Sequence, residues 1–277
     1  MATSLLRTIP TALSYPTLTE IRCCPQQVNR LDWRMTDRQE RLTWWSQHIM
    51  ARAKILMVGF GGLGSHIGLI FVQMMLAQLD VIDPDIAEDS NRNRQLVTES
   101  DVGKPKAHQI LKNIAPYATG RTLLRGYYTT FENWAKRRRR SQYSAVCCGV
   151  DSIPTMAAVA RYAHRTHTPA TFINVSSDGE ACRVFVQRCG SLDACFACYM
   201  PSALAPQPER DQPCTPVPAI ADILRVAAGF AARATMGEIM GSPIGDYNCR
   251  DITFSGCDIR KTVQQRADCP ICHGQAI

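Results

Sequence analysis

The sequence predicts an α/β protein: a doubly wound, mostly parallel sheet, continued by a mixed or antiparallel C-terminal part that carries a structural zinc site. Three observations predict it. Short apolar runs alternate with helical segments between Lys54 and Ser177, a glycine turn follows the first run, and two C-x-x-C pairs occupy the second half. Strands and helices alternating at this pitch favour a parallel sheet with helices on its faces.

Taken in order, residues 1–30 hold scattered prolines and no sustained period, which predicts an irregular or partner-clasping arm, assigned as residues 1–33. A helix is expected over Thr36–Ala53, leading into "KILMVG", a short apolar run suited to a buried parallel strand. "SHIGLIFVQMMLAQ" follows as a helix apolar around most of its surface, and "LDVID" as a second strand ending at Asp83. "GKPKAHQILKNIAP" reads as a helix, "SAVCCGVD" as a strand, "IPTMAAVARYAHRT" as a helix and "ATFINVSS" as a strand. Beyond these, "RVFVQRC" is a candidate strand, and the proline-rich Pro201–Ala219 is too long for a tight connection. "IADILRVAAGFAARATMGEIMG" is an alanine-rich helix closed by Gly241, and "DITFSG" with "DIRKTVQQ" forms a closing hairpin. A single domain over 34–277 is the economical organisation, with a nucleotide-binding part at about 54–180 and a zinc-tied, loop-bearing part at about 181–277.

Composition narrows the class. At 277 residues, with 45% hydrophobic and 20% charged content, the chain is long enough for a substantial core. "GLIFVQMMLAQL" falls short of the roughly eighteen apolar residues that a membrane span needs, and the N-terminus lacks a secretory signal's apolar core. A cytoplasmic protein without membrane association is expected. Part of the net charge of +7 sits in Lys136–Arg140, a solvated helix end or a docking patch for an acidic partner.

The thirteen cysteines are better explained by metal than by disulfides. Cys195 with Cys198 and Cys269 with Cys272 form two C-x-x-C pairs, each able to place two thiolates on one tetrahedral ion. Together they complete a four-sulfur zinc shell that ties the second half to the C-terminus. His273 is then a bystander, while Cys147 and Cys148 lie in an apolar strand and serve packing.

The turn Gly59-Phe60-Gly61-Gly62-Leu63-Gly64 fits G-x-G-x-x-G, the signature of a Rossmann-like nucleotide fold. Its glycines permit tight backbone geometry, and the helix N-terminus beyond offers free N–H groups to phosphate. Asp83, at the end of the second strand, is placed to hold a ribose hydroxyl. A nicotinamide dehydrogenase shares all of this, whereas a P-loop is disfavoured because no GK[ST] follows. The next residues discriminate. Asn91, Arg94, Lys104 and Lys106 concentrate positive charge beyond the ribose acid, and Asp151 ends a later strand where a carboxylate suits Mg²⁺. Hydride transfer has little use for such charge. Breaking the α–β phosphate bond does, because charge builds on the departing pyrophosphate.

"GFGGLGS", "DPD", "SNRNRQ", "DVGKPKA", "GVDS" and the two C-x-x-C pairs together resemble the ubiquitin-activating superfamily, in particular the bacterial sulfur-carrier adenylyltransferases of the MoeB and ThiF type. The resemblance runs from about Arg34 to the C-terminus. It implies an enzyme that uses ATP and Mg²⁺ to adenylate the C-terminal carboxylate of a small ubiquitin-like protein, one ending in Gly-Gly. It implies phosphate-turn roles for Gly59, Gly61, Gly62 and Gly64, a ribose contact for Asp83, phosphate contacts for Asn91, Arg94 and Lys106, and a magnesium role for Asp151. It also implies a homodimer in which Arg38, from "DRQ", reaches the neighbouring subunit's site, and a later acyl transfer to Cys214. Two features depart from the family pattern: "TPVPAIAD" follows Cys214 where a glycine-containing turn is usual, and "MMLAQ" lacks a customary glycine. No rhodanese-like module follows, so sulfur is expected from another protein. Related activities share these motifs, namely adenylation of a peptide precursor, action on tRNA threonylcarbamoyl-adenosine, and a non-catalytic pseudo-adenylation subunit. Nucleic acid is not the expected partner, because the tRNA branch generally lacks the paired zinc cysteines.

Overall fold

The computed structural model describes residues 15–23, 35–137, 143–176, 178–190, 193–205 and 220–273. One nine-stranded sheet organises them. In chain order its elements begin with β1 (Leu18–Cys23), the single-turn helices α1 (Asp37–Glu40) and α2 (Gln47–Met50), β2 (Lys54–Val58), α3 (Gly62–Gln73) and β3 (Gln78–Ile82). They continue with α4 (Lys106–Ile114), β4 (Thr122–Tyr127), α5 (Phe131–Lys136), β5 (Ala145–Cys148), α6 (Ile153–Thr166) and β6 (Ala170–Val175). The second half adds β7 (Ala181–Gln187), α7 (Phe196–Tyr199), α8 (Ala221–Met240), β8 (Cys249–Thr253) and β9 (Asp258–Lys261).

The strand order is β1-β4-β3-β2-β5-β6-β7-β8-β9. The five central strands, β4 through β6, run parallel, and β7, β8 and β9 extend the sheet antiparallel, as the sequence predicts. Chain order runs outward from β2 to β4 on one side and from β5 to β6 on the other. That reversal opens a crevice at the carboxyl ends of β2 and β5, the place where such sheets bind ligands.

Both faces of the sheet are covered, so β2 after Lys54 and all of β5 are apolar. Ile55, Met57 and Cys147 point into one core with residues of α3, α4 and α8, while Leu56, Val58, Val146 and Cys148 point into the other with residues of α5, α6 and α7. Helix α8 approaches the sheet through Ala227, Ala228, Ala231 and Ala232, all buried, and it ends at Gly241 with φ +65°. Ser152 caps α6 by accepting from the Thr155 N–H at 3.4 Å. Among the described residues, no helix is long and apolar enough to cross a membrane.

Two stretches depart from the sequence-based expectation. The helix expected over Thr36–Ala53 is broken into α1 and α2, because Ser46 is extended and tertiary contacts claim the residues around it. Gln47 donates from Nε2 to the Met74 carbonyl at 3.1 Å, and Arg233 of α8 lies 3.7 Å over the Trp44 ring. The arm expected to be irregular contributes β1, which pairs antiparallel with β4 and joins it through Glu20 and Arg125. Residues 1–14 and 24–33 of the arm, Cys214 and Arg138–Arg140 of the basic run lie outside the described residues.

Candidate active site and cysteine cluster

A cleft of about 450 Å³ opens at the crevice between β2 and β5. The structure brings together most of the residues singled out in the sequence. Gly59, Gly61 and Gly62 form one wall, Asp83 and Asn91 another, and Arg94, Lys106 and Asp151 also line it. Gly64 does not. It backs the turn, because a Cβ there would sit 2.1 Å from the Gly59 carbonyl oxygen. Gly59 itself has φ +83° and leaves no room for a side chain against Val150. Replacing Gly64 with alanine is expected to cost about 1–3 kcal/mol by overpacking and to weaken nucleotide binding, measurable by thermal denaturation and calorimetric titration.

Asp83 is held by backbone N–H groups on both oxygens: Phe60 N donates to Oδ2 at 2.6 Å and Asp85 N to Oδ1 at 2.8 Å. Burial, reinforced by the nearby Asp85 charge, pushes its pKa from 3.8 up to about 6. A raised carboxyl pKa stabilises the free protein fully below about pH 4, and that contribution is lost as pH rises through about 6. A ribose hydroxyl bound there would donate to the ionised form, so nucleotide binding at Asp83 would follow the opposite course. ATP affinity is expected to fall as pH drops from 7 toward 5. A 2′,3′-dideoxy analogue titrated in parallel should lack this component, which separates it from protonation of the phosphates.

The cations are fixed by their neighbours. Lys106 is 8% exposed, and its Nζ lies 2.9 Å from Asp85 Oδ2. Arg94 donates from Nη1 to the Ser90 carbonyl at 2.7 Å and to Asn93 Oδ1 at 2.9 Å, and its own carbonyl faces His66 Nε2 at 3.2 Å. Asn91 closes a reciprocal cap with Glu88, accepting from the Glu88 N–H at 3.1 Å. Asp151 is exposed at the rim, on the loop between β5 and α6. Arg38 is exposed on α1 and does not line the cleft of its own chain.

Two lining residues escaped the sequence reading. Gln95 is 8% exposed, and its Oε1 is buried without a hydrogen-bond partner among the described residues. An unpaired buried amide of this kind costs about 1–3 kcal/mol, and a ligand contact would offset it. It closes the motif "SNRNRQ", which marks its position but assigns it no role. Glu132, at the start of α5, belongs to no local motif.

The four cysteines converge from segments far apart in sequence. Cys195 Sγ lies 3.8 Å from Cys198 Sγ and 3.5 Å from Cys269 Sγ, and Cys198 Sγ lies 3.6 Å from Cys272 Sγ. All four sulfurs are within 4.8 Å of one another. A tetrahedral zinc with Zn–S of about 2.3 Å requires S–S edges near 3.8 Å, so the arrangement fits that ion. The Arg266 N–H points at Cys198 Sγ at 3.4 Å, a contact that suits a thiolate. His273 faces the Arg266 carbonyl and is not a member of the cluster. Cys147 and Cys148 are fully buried, and burial pushes both thiols up to about 12, which leaves them inert.

Comparison with known proteins places this geometry. The ThiF family pattern matches residues 36–270. The sulfur carrier protein adenylyltransferase of Thermus thermophilus is 26% identical over 236 residues, which cover 82% of this chain and 84% of that protein. The NEDD8-activating enzyme E1 catalytic subunit of Caenorhabditis elegans is 32% identical over 129 residues, but these are 44% of this chain and only 30% of the nematode protein. Among solved structures, Escherichia coli MccB with AMPCPP and MccA superposes with a TM-score of 0.72 at 18% identity, covering 89% of this chain and 76% of that one. At that identity the likeness is one of fold.

Proposed function

The chain belongs to the ThiF family, and on that premise we propose that it uses ATP to adenylate the C-terminal carboxylate of a small ubiquitin-like or sulfur-carrier protein. The observation that carries this reading is a single cleft combining a glycine phosphate turn, a buried acid at the end of β3 and two fixed cations beyond it. A dehydrogenase shares the first two and has no use for the third. The Thermus relative, named as a sulfur carrier protein adenylyltransferase, supports the same chemistry.

In this reading Gly59, Gly61 and Gly62 admit the triphosphate to the α3 N-terminus, and Gly64 holds the turn in shape. Asp83 orients the ribose. The incoming carboxylate is already a nucleophile, so the site needs no general base, only alignment and charge. Its oxygen forms a bond to the α-phosphorus while the α–β bridge bond breaks, and the electron pair leaves with pyrophosphate. Arg94, Lys106 and Asn91 stabilise the charge that accumulates there. Asp151 would hold Mg²⁺, which when bound neutralises phosphate charge. Zinc in the four-cysteine cluster is structural, tying the segment after β7 to the chain beyond β9.

Residues 34–277 act as one adenylation domain, preceded by the 1–33 arm, and the working unit is a cytoplasmic homodimer to which Arg38 contributes across the interface. A carrier ending in Gly-Gly threads most easily into a narrow site. Cys214 is the acceptor for any subsequent acyl transfer. The reading is tested by incubating the protein with ATP, Mg²⁺ and a carrier, then weighing the carrier intact by mass spectrometry. Gain of an adenylyl group at its C-terminus is the expected result. Modification of a short peptide instead would redirect the substrate assignment, and no modification of either would contradict it.

A further inference from the structure

On the adenylation reading above, the α3 N-terminus receives the phosphates and Arg94 meets the charge that moves onto pyrophosphate. The two sit on separate segments, α3 (Gly62–Gln73) and the loop that follows β3. The Arg94 guanidinium is held by the Ser90 carbonyl and Asn93, both on that same loop. Those bonds orient it relative to the loop but not relative to α3. Other anchors of the loop also leave α3 aside: Asn91 closes its cap with Glu88, and Asn113 of α4 donates from Nδ2 to the Leu96 carbonyl at 3.0 Å. His66 makes the missing link. It stands in the second turn of α3, is 7% exposed, and places Nε2 3.2 Å from the Arg94 carbonyl oxygen. A carbonyl oxygen only accepts, so Nε2 carries the hydrogen and donates it. Among the described residues, no backbone N–H reaches that carbonyl. Burial lowers the ring's pKa below the usual imidazole value and outweighs the opposing pull of the hydrogen bond, so at neutral pH the ring is an uncharged donor.

We propose that His66 is a positioning residue for adenylyl transfer: its Nε2–H bond to the Arg94 carbonyl fixes the backbone that carries the guanidinium against the helix that receives the phosphates. The imidazole does not line the cleft, so its effect passes through Arg94 and not through contact with the nucleotide. Reaction geometry is sensitive to displacements of about 1 Å, and one hydrogen bond between two otherwise separately anchored segments controls a displacement of that size.

The test compares single-turnover adenylation of a carrier protein by wild type, His66→Leu, His66→Gln, Arg94→Ala and the double variant Arg94→Ala/His66→Leu, with ATP affinity and melting temperature measured on each. Leucine keeps bulk without a donor, whereas glutamine returns an N–H near the position of Nε2. His66→Leu is expected to slow the reaction at least about tenfold while ATP affinity stays within about twofold. His66→Gln should recover most of that loss. In the Arg94→Ala background the leucine substitution should change the rate by less than about twofold, because the group it positions is already gone. An undiminished rate in His66→Leu overturns the assignment, and so does an equal fall in both backgrounds. A melting temperature that falls with the rate, without rescue by glutamine, overturns it in favour of a packing role. Nitrogen NMR of the histidines in wild type requires no folded leucine variant. The His66 signals, identified by their loss in His66→Gln, should show the neutral Nε2–H tautomer, and the Nδ1–H tautomer would overturn the proposal. Wild type that binds ATP but adenylates no carrier would overturn the adenylation reading itself, and this role with it.

Discussion

Arg94→Ala is expected to lower carboxylate-dependent adenylation by about 10² to 10³-fold, the usual loss when a fixed donor to developing charge is removed. The effect belongs mainly to kcat. Arg94 is held by the Ser90 carbonyl and Asn93 through Nη1 alone, so its remaining N–H groups are oriented before any ligand arrives. A group positioned in advance is worth most when charge moves onto the pyrophosphate, and less in the ground state. The fold should be spared, since the side chain is only partly buried and its hydrogen bonds reach only Ser90 and Asn93, its neighbours in sequence. Single-turnover rates, ATP affinity and melting temperature measured together check this. A melting temperature that falls with the rate would assign Arg94 to structure rather than chemistry.

Cys269→Ser is expected to release the metal and destabilise the C-terminal part of the sheet. Cys269 is 1% exposed, with its sulfur 3.5 Å from Cys195 Sγ. With one ligand gone, the others are left converging on a defective site, in a region whose apolar packing includes Phe196 and Ile271. A loss of about 3–5 kcal/mol is reasonable for such a buried site, on the order of 10 °C in Tm for a chain of this size. Zinc content by elemental analysis should fall from one per chain to near zero. An unchanged metal content would rule out the four-sulfur site.

The parts legible in the sequence are those whose causes are local. The run Ile55–Val58 has nothing to be but a strand covered on both faces, and two of the glycines after it have causes within the turn: Gly59 has φ +83°, and a Cβ at Gly64 would meet the Gly59 carbonyl oxygen. Helix α6 starts at a serine cap and α8 ends at a glycine in the left-handed region, both readable by residue type. The cysteine pairs are legible because metal chemistry fixes their spacing. What the sequence hid depends on distant partners. Strand β4 is disguised by Arg125 and Gly126: the first is polar because Glu20 of β1 pairs with it, and the second lacks a side chain because a Cβ would meet the Ala107 carbonyl of α4 at 2.7 Å. Thr36–Ala53 has helical composition but breaks because Trp44 and Gln47 are claimed by α8 and the chain after α3. Gln95 stands in a motif but its burial in the cleft depends on the fold, and Glu132 becomes a candidate only once the fold brings it there.

The most direct test is ATP–pyrophosphate exchange, with purified protein, Mg²⁺ and a panel of small carrier proteins ending in Gly-Gly. The account predicts exchange that depends on one carrier and on its free C-terminal carboxylate, and that is lost in Arg94→Ala. Exchange that proceeds without any carboxylate, or silence across carriers and peptides in protein that binds ATP, would contradict it.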